Sequence, residues 1–405
     1  MKRPILFLLT MLLCLQTWAQ QRTMVSGTVV SSTTGKELEG VSISGGGHTV
    51  VTNADGYFLL KADTLLSHIT VSHVGYRSVR VEGDRLAADG GLRIRLQPAV
   101  IELPEVVVVS MDPRDLVAAA IRKIPKNYPG EPELFHCFYR ETAMKRQHYI
   151  LVAEGVVDMY KAAYRKGFGR DRVAIRKGRR LLSPKQSDTL SVKVTGGPVA
   201  PIQLDVVKNR DVLLNEEDLD CYAMTMELPT TIGDRSQYVV SIAPSCTLPY
   251  PLYFGKLYID QETLAFTRVE LSLDMSDREK ATQMMLVRKP AGVRFRPKEL
   301  SLLIDYRLED GVARMSYVRT TFRFNCDWRR RLFATSFTAC CEMVVTSREE
   351  GQPQPISGRD SFDQHDAFFD KVEYFRDPTF WDDYNIIEPT ESLDRAVDRL
   401  LKRRQ

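Results

Sequence analysis

Histidine is scarce in this 405-residue chain, with six in all: His48, His68, His73, His136, His148 and His365. None has a glutamate three residues later, and no His-Glu-x-x-His occurs. The ligand spacings by which zinc peptidases hold their metal are therefore excluded. Gly-x-Ser-x-Gly is missing, and so is a glycine-rich phosphate loop, which removes the serine-hydrolase elbow and the nucleotide cradle. No motif asks for a cofactor. After the first twenty residues no apolar run is long enough to cross a bilayer as a helix. A large charge excess is missing too. The net charge is +4, which argues against a bulk nucleic-acid binder.

The beginning of the chain is more explicit. Lys2 and Arg3 precede an apolar stretch from Ile5 to Leu15, and Ala19 supplies a small residue at a cut. Residues 1–19 read as an export signal. Lipidation at Cys14 is the alternative, opposed by the bulky Leu13 before it. Cleavage would lower the net charge to +2 and leave six cysteines: Cys137, Cys221, Cys246, Cys326, Cys340 and Cys341. An exported protein can pair them, but the spacings match no dense disulfide scaffold. Buried thiols, or one bridge, are expected. Cys340 and Cys341 should point to opposite faces of a strand.

Residues 20–98 read as short strands at regular spacing: "MVSGTVVSS", "VSISGGGHTVVT", "YFLLKA", "SHITVSHVGY", "RSVRVEG" and "GLRIRLQP". Such spacing with turn signals between argues a small β-sandwich. His68 and His73 are read on one strand, facing opposite sides. "TNADGYF" at 52–58 could be a calcium loop or a turn. Calcium loops need alternating oxygen ligands and a closing glutamate, whereas Tyr57, Phe58, Leu59 and Leu60 follow Gly56. The turn is the simpler reading, with Asn53 bonding back to the backbone and Gly56 in the left-handed region. Gly27, Gly35, "GVSI", "TNADGYF" and "GYRS", in that order, resemble the carboxypeptidase regulatory-like domain of Bacteroidetes envelope proteins. The resemblance implies a seven-stranded, transthyretin-like sandwich with no catalytic residues of its own. It also implies an address at the periplasm or outer membrane.

Residues 99–133 form a connector: a β-branched run, "IELPEVVVVS", then a short helix. Asp112 is its candidate N-cap and Pro113 its first residue. Leu116, Ala120, Ile121 and Ile124 make one apolar stripe, closed by Pro125 and Pro129. Residues 134–350 are mostly strands, and their succession favours a large antiparallel sheet. "YFGKLYIDQETLAFTRVELSLD" resembles a hairpin of half-barrel carriers of the bacterial periplasm, which implies a curved sheet binding acyl chains or lipoproteins. The expected fold class is thus mainly β, between all-β and α+β, with a few helices. Residues 351–405 read as a polar linker and a tail. The tail ends in a helix capped by Thr390, with Leu393, Val397 and Leu400 inward.

Lys161 to Lys185 holds ten Lys or Arg and one acidic residue, so the rest of the mature chain is net acidic. A solvated loop is the plain reading. The sharper one is an anion site made by Arg172, Arg176, Lys177, Arg179 and Arg180, facing lipid headgroups, lipopolysaccharide phosphates or acidic glycans. Tyr164 and Phe168 could add ring contacts. Carboxylates cluster at Glu216-Glu217-Asp218, at Asp382-Asp383, and at Asp205 with Asp211, but acidic loops are commoner than acid–base pairs. Asp-Thr-Leu, at Asp63 and Asp188, resembles the O-glycan acceptor tripeptide of exported Bacteroidetes proteins.

Three functions stay open. The first is a non-catalytic envelope protein binding an apolar or amphiphilic ligand, a lipoprotein, or an outer-membrane protein partner. The second is a scaffold accessory to a TonB-dependent outer-membrane transporter. The third is a carboxylate-dependent hydrolase. A deep apolar cavity inside the sheet favours the first and a filled interior the second. Two facing carboxylates with a raised pKa would be needed for the third.

Overall fold

In the computed structural model the described residues are 23–86, 91–99, 111–167, 169–185, 196–285, 292–328, 334–374 and 380–402. Residues 1–19, read as an export signal, with Cys14 among them, the run 101–110, Phe168 and the second Asp-Thr-Leu lie outside them, as do the side chains of Glu216 and Glu217.

Seven strands build the front sandwich. They are β1 (Thr23–Ser31), β2 (Ser42–Gly45), β3 (His48–Val51), β4 (Tyr57–Ala62), β5 (His68–Ser72), β6 (Val79–Glu82) and β7 (Leu92–Leu96). They form two sheets, β4-β1-β7 and β3-β2-β5-β6. Alternation places Phe58, Leu60 and Ala62 of β4 against Ile43, Ile69 and Val71 of the facing sheet. The turn before β4 is built as its sequence requires. Asn53 Oδ1 accepts the N–H groups of Asp55 and Tyr57, each at 3.0 Å. Gly56 sits at φ +70°, and a Cβ there would come within 2.7 Å of the Val29 carbonyl oxygen. One expectation fails: β5 ends at Ser72, so His73 is not on the strand with His68. The chain turns away at Gly75, whose N–H donates to the Thr231 carbonyl in the large sheet at 2.8 Å.

The large sheet holds twelve strands. They are β8 (Glu133–Lys145), β9 (His148–Lys161), β10 (Arg172–Leu182), β11 (Tyr222–Met226), β12 (Thr230–Ile232), β13 (Arg235–Pro244), β14 (Tyr253–Asp260), β15 (Phe266–Leu273), β16 (Val293–Glu309), β17 (Val312–Trp328), β18 (Thr335–Arg348) and β19 (Glu373–Tyr374). Their order is β11-β13-β14-β15-β16-β17-β18-β8-β9-β10-β19, with β12 also paired to β13. Every pair is antiparallel except the two-residue β10–β19 contact. The basic run is therefore not a loop, because residues 172–182 ladder against β9.

This order forces a long crossing. The chain leaves β10 near one end of the sheet and resumes at β11 at the other, and the described residues 196–221 of the connection lie over one face. Ile202, Val206, Val207, Leu213 and Leu214 from that crossing are buried on the sheet. Helix α1 (Pro113–Arg122) joins them through Leu116, Val117, Ala120 and Ile121. Asp112 caps α1 by accepting the Arg114 N–H at 2.8 Å. Pro125 does not end the helical region. It lies in the first turn of a second short helix, Ile124–Asn127, where a missing N–H costs nothing. Helix α2 (Arg278–Met285) adds Ala281 to the same core. This face is called the helix face below.

Two glycines open a notch in the helix face. Gly155 of β9 lies opposite Gly178 of β10, and Phe368 and Val372 insert over them. A Cβ on Gly155 would lie 2.7 Å from the Phe368 ring. Gly178→Val should destabilise the protein by about 2 kcal/mol, as overpacking does. Gly169→Ala, where a Cβ meets nothing within 4 Å, should change it by less than about 0.5 kcal/mol. Urea melts of the two variants check the difference.

Candidate functional site

The helix face buries a polar cluster at its centre. Asp205 accepts from Lys161 Nζ, from Tyr164 Oη at 2.9 Å and from Tyr306 Oη at 2.7 Å. Lys208 Nζ donates to Asp171 at 2.6 Å. Burial opposes the Asp205 charge, yet Lys161 and the two phenols hold its carboxyl below the usual range. Burial wins at Asp171 and raises it, and burial with the Lys161 charge lowers Lys208. These groups satisfy one another and anchor the crossing segment to the sheet. Asp205 and Asp211 form no acid–base pair, since Asp205 is fully buried and Asp211 is exposed. Asp382 and Asp383 are exposed.

A second buried group stands apart. Glu141 of β8 accepts the Tyr139 hydroxyl at 2.7 Å and faces Cys341 of β18 in register. Burial pushes its carboxyl up to about 7. An unfolded glutamate titrates near 4.3, so the folded state holds the extra proton between the two values. Glu141 therefore favours the folded state at acid pH. That contribution is lost as pH rises towards 7, by on the order of 3 kcal/mol. Glu141→Gln should melt higher than the parent at pH 8 and close to it at pH 4. Equal differences at both pH values would remove the assignment.

Cys221 and Cys246 form a disulfide, and Cys137, Cys326, Cys340 and Cys341 are free thiols. Cys341 is buried while Cys340 is half-buried, as opposite faces of β18 require.

The opposite, outer face of the large sheet carries the front sandwich. Arg307 Nη1 donates to Thr49 Oγ1 at 2.6 Å, and Arg319 pairs with Glu39 at 2.6 Å. A polar cleft of about 820 Å³ opens between the β2–β3 hairpin and β16–β18, lined by His48, His68, Arg307, Arg314, Arg348 and Glu350. Beside the sandwich an open trough of about 940 Å³ runs over β13–β17. Its floor includes Phe254 and Leu303 among Lys256, Arg268, Glu270 and Arg319. Arg268 is paired with Glu270 at 2.6 Å and with Asp305 at 2.9 Å.

The tail fills the seam between sandwich and sheet. Trp381, Ile386 and Ile387 pack with Val51 of the sandwich and with Phe138, Val156, Tyr317 and Val344 of the sheet. Beneath them Arg140 and Glu154 form an ion pair at 2.8 Å, each about 4% exposed. Burial opposes the Glu154 charge, but Arg140 and Arg179 hold its carboxyl below the usual range. The end helix α3 (Glu391–Lys402) is capped by Thr390 Oγ1, which accepts the Leu393 N–H at 3.2 Å. Its buried residues are Leu393, Ala396 and Leu400. Val397 is only half-buried, one position round the helix from Ala396.

The five candidate anion-site residues are brought onto one strand and each engages the protein's own groups, Arg172 and Arg176 while still exposed. Arg172 donates to the Gly169 and Asp171 carbonyls. Arg176 pairs with Asp158, and Arg179 with Glu154 at 2.7 Å. Lys177 donates to the Phe380 carbonyl and lies 4.1 Å from that ring's centre. Arg180 donates to the Phe369 carbonyl and is 3.7 Å from Asp370. Arg140, Glu154, Trp381 and Asn385 were not singled out from sequence. The visible signal was the charge of the tail, since residues 360–394 hold eleven acidic residues against two basic ones.

Residues 25–108 match the family model described as CarboxypepD_reg-like domain, so the front sandwich is such a domain. The match runs past residue 98, where the sandwich was expected to end. No curated protein matches the chain. Eleven solved chains are similar to it, among them the following two. One is a DUF1329 family protein from Desulfovibrio piger, 10% identical, TM-score 0.23, covering 58% of this chain and 94% of that one. The other is a putative outer membrane lipoprotein-sorting protein domain from Vibrio parahaemolyticus, 9% identical, TM-score 0.27, covering 61% of this chain and 94% of that one.

Proposed function

We propose that the protein is a non-catalytic cell-envelope protein that binds a polypeptide partner on the outer face of its large sheet. The observation that carries this reading is the packing of the helix face. Where a carrier would keep a channel for an acyl chain, α1, α2 and the crossing segment pack their side chains into one core with the strands. The outer trough offers the alternative. Its exposed Phe254, half-buried Leu303 and paired charges suit a mixed polar and apolar protein surface better than a hydrocarbon chain. The export reading of residues 1–19 and the Cys221–Cys246 disulfide support an oxidising compartment outside the cytoplasm.

Isolation of the protein from its own envelope, followed by native mass spectrometry, separates the readings. The expected result is a mass free of stoichiometric lipid. In the same cells, a photo-crosslinking residue at Phe254 should give one discrete protein adduct, and one at the exposed Leu65 of the sandwich should not. One lipid per chain would overturn the reading in favour of a carrier.

A further inference from the structure

The tail in the seam is held as a bound peptide is held. Residues 380–390 form no helix or strand, so their backbone groups need partners from elsewhere. Side chains of the body supply them. Lys177 Nζ donates to the Phe380 carbonyl at 2.8 Å and Lys61 Nζ to the Trp381 carbonyl at 2.7 Å. Arg140 Nη2 donates to the Ile387 carbonyl at 2.6 Å, and Asn53 Nδ2 to the Pro389 carbonyl at 2.9 Å. Asp55 accepts the Glu391 N–H at 2.8 Å. The Asn385 amide both accepts from the Lys61 N–H and donates to the Lys61 carbonyl, each at 2.8 Å, as an added strand would.

Anchors and charge complete the pattern. Trp381 is the central anchor. Its ring packs edge-on to Phe138 at 5.6 Å, its Nε1 donates to Glu154 at 3.2 Å, and Arg179 lies over it at 5.1 Å. A basic strand receives an acidic segment, which favours encounter and register. An empty seam would expose Phe138, Val156 and Val344 to water, so exchange of one segment for another is easier than vacancy.

We propose that the seam is a peptide-binding site, occupied in cis by residues 380–391, that takes acidic, aromatic-bearing segments of other polypeptides by exchange with the tail. The site is distinct from the trough and stands whether or not the trough binds a partner.

The test uses the full chain with one protease site placed between Tyr374 and Phe380, folded first and then cut. The probe is a fluorescent peptide of residues 380–402. The expected result is that the label enters the cut protein and that binding falls several-fold between about 50 and about 500 mM salt. Replacing tryptophan by alanine in the peptide alone should weaken binding by about 50-fold or more, as loss of a buried aromatic anchor does. Because the changes lie in the peptide, the fold of the body is not at issue. Failure of the label to enter over days would overturn the proposal, as would equal binding of a scrambled peptide. Equal displacement of the label by phosphatidylglycerol vesicles would also overturn it, in favour of an anionic lipid site.

Discussion

The strand order of the large sheet sets what the rest of the molecule can do. Its first three strands in the chain lie at one end and its fourth at the other, and residues 196–221 of the connection lie over a face. That crossing carries its own apolar residues and fixes itself with Asp205 on Lys161 and Lys208 on Asp171. Buried ion pairs add little net stability, but losing one partner is costly, so they favour a single placement of the crossing. Once the helix face is occupied in this way, the outer face is the one left to receive the sandwich and the tail.

There, three pieces of chain far apart in the sequence meet. The sandwich presents the Asn53 turn and Lys61, the sheet presents Arg140 and Glu154, and the tail presents Trp381 and Asn385. The turn that looked like a metal loop does two jobs at once. Asn53 Oδ1 shapes the bend, while its Nδ2 and the neighbouring Asp55 carboxylate grip the tail. The front module thus contributes half of the seam that holds the tail.

Local chemistry was the legible part of the sequence. The Asn53–Gly56 turn, the Asp112 and Thr390 caps and the strands of the sandwich each depend on residues within a few positions. What lies far apart was not legible. Lys161 counts as one more charge in a basic run, yet it is buried against Asp205, forty-four residues on. Arg179 and Lys177 look like solvated cations because the rings that cover them, Trp381 and Phe380, arrive about two hundred residues later. The Gly155–Gly178 notch needs the register of two strands before either glycine has a meaning.

The edge of the sheet at β11 has its own consequence. Strand edges invite pairing with other chains, and folded proteins restrain them. Here Arg114 takes the Tyr222 carbonyl at one end, and the Gly75 N–H takes the Thr231 carbonyl at the other. The Cys221–Cys246 bridge fixes the strand to its neighbour. What is left between those stops is a few residues long, too short a template to recruit a second molecule. The sheet can stay open at that edge while offering other chains little to pair with.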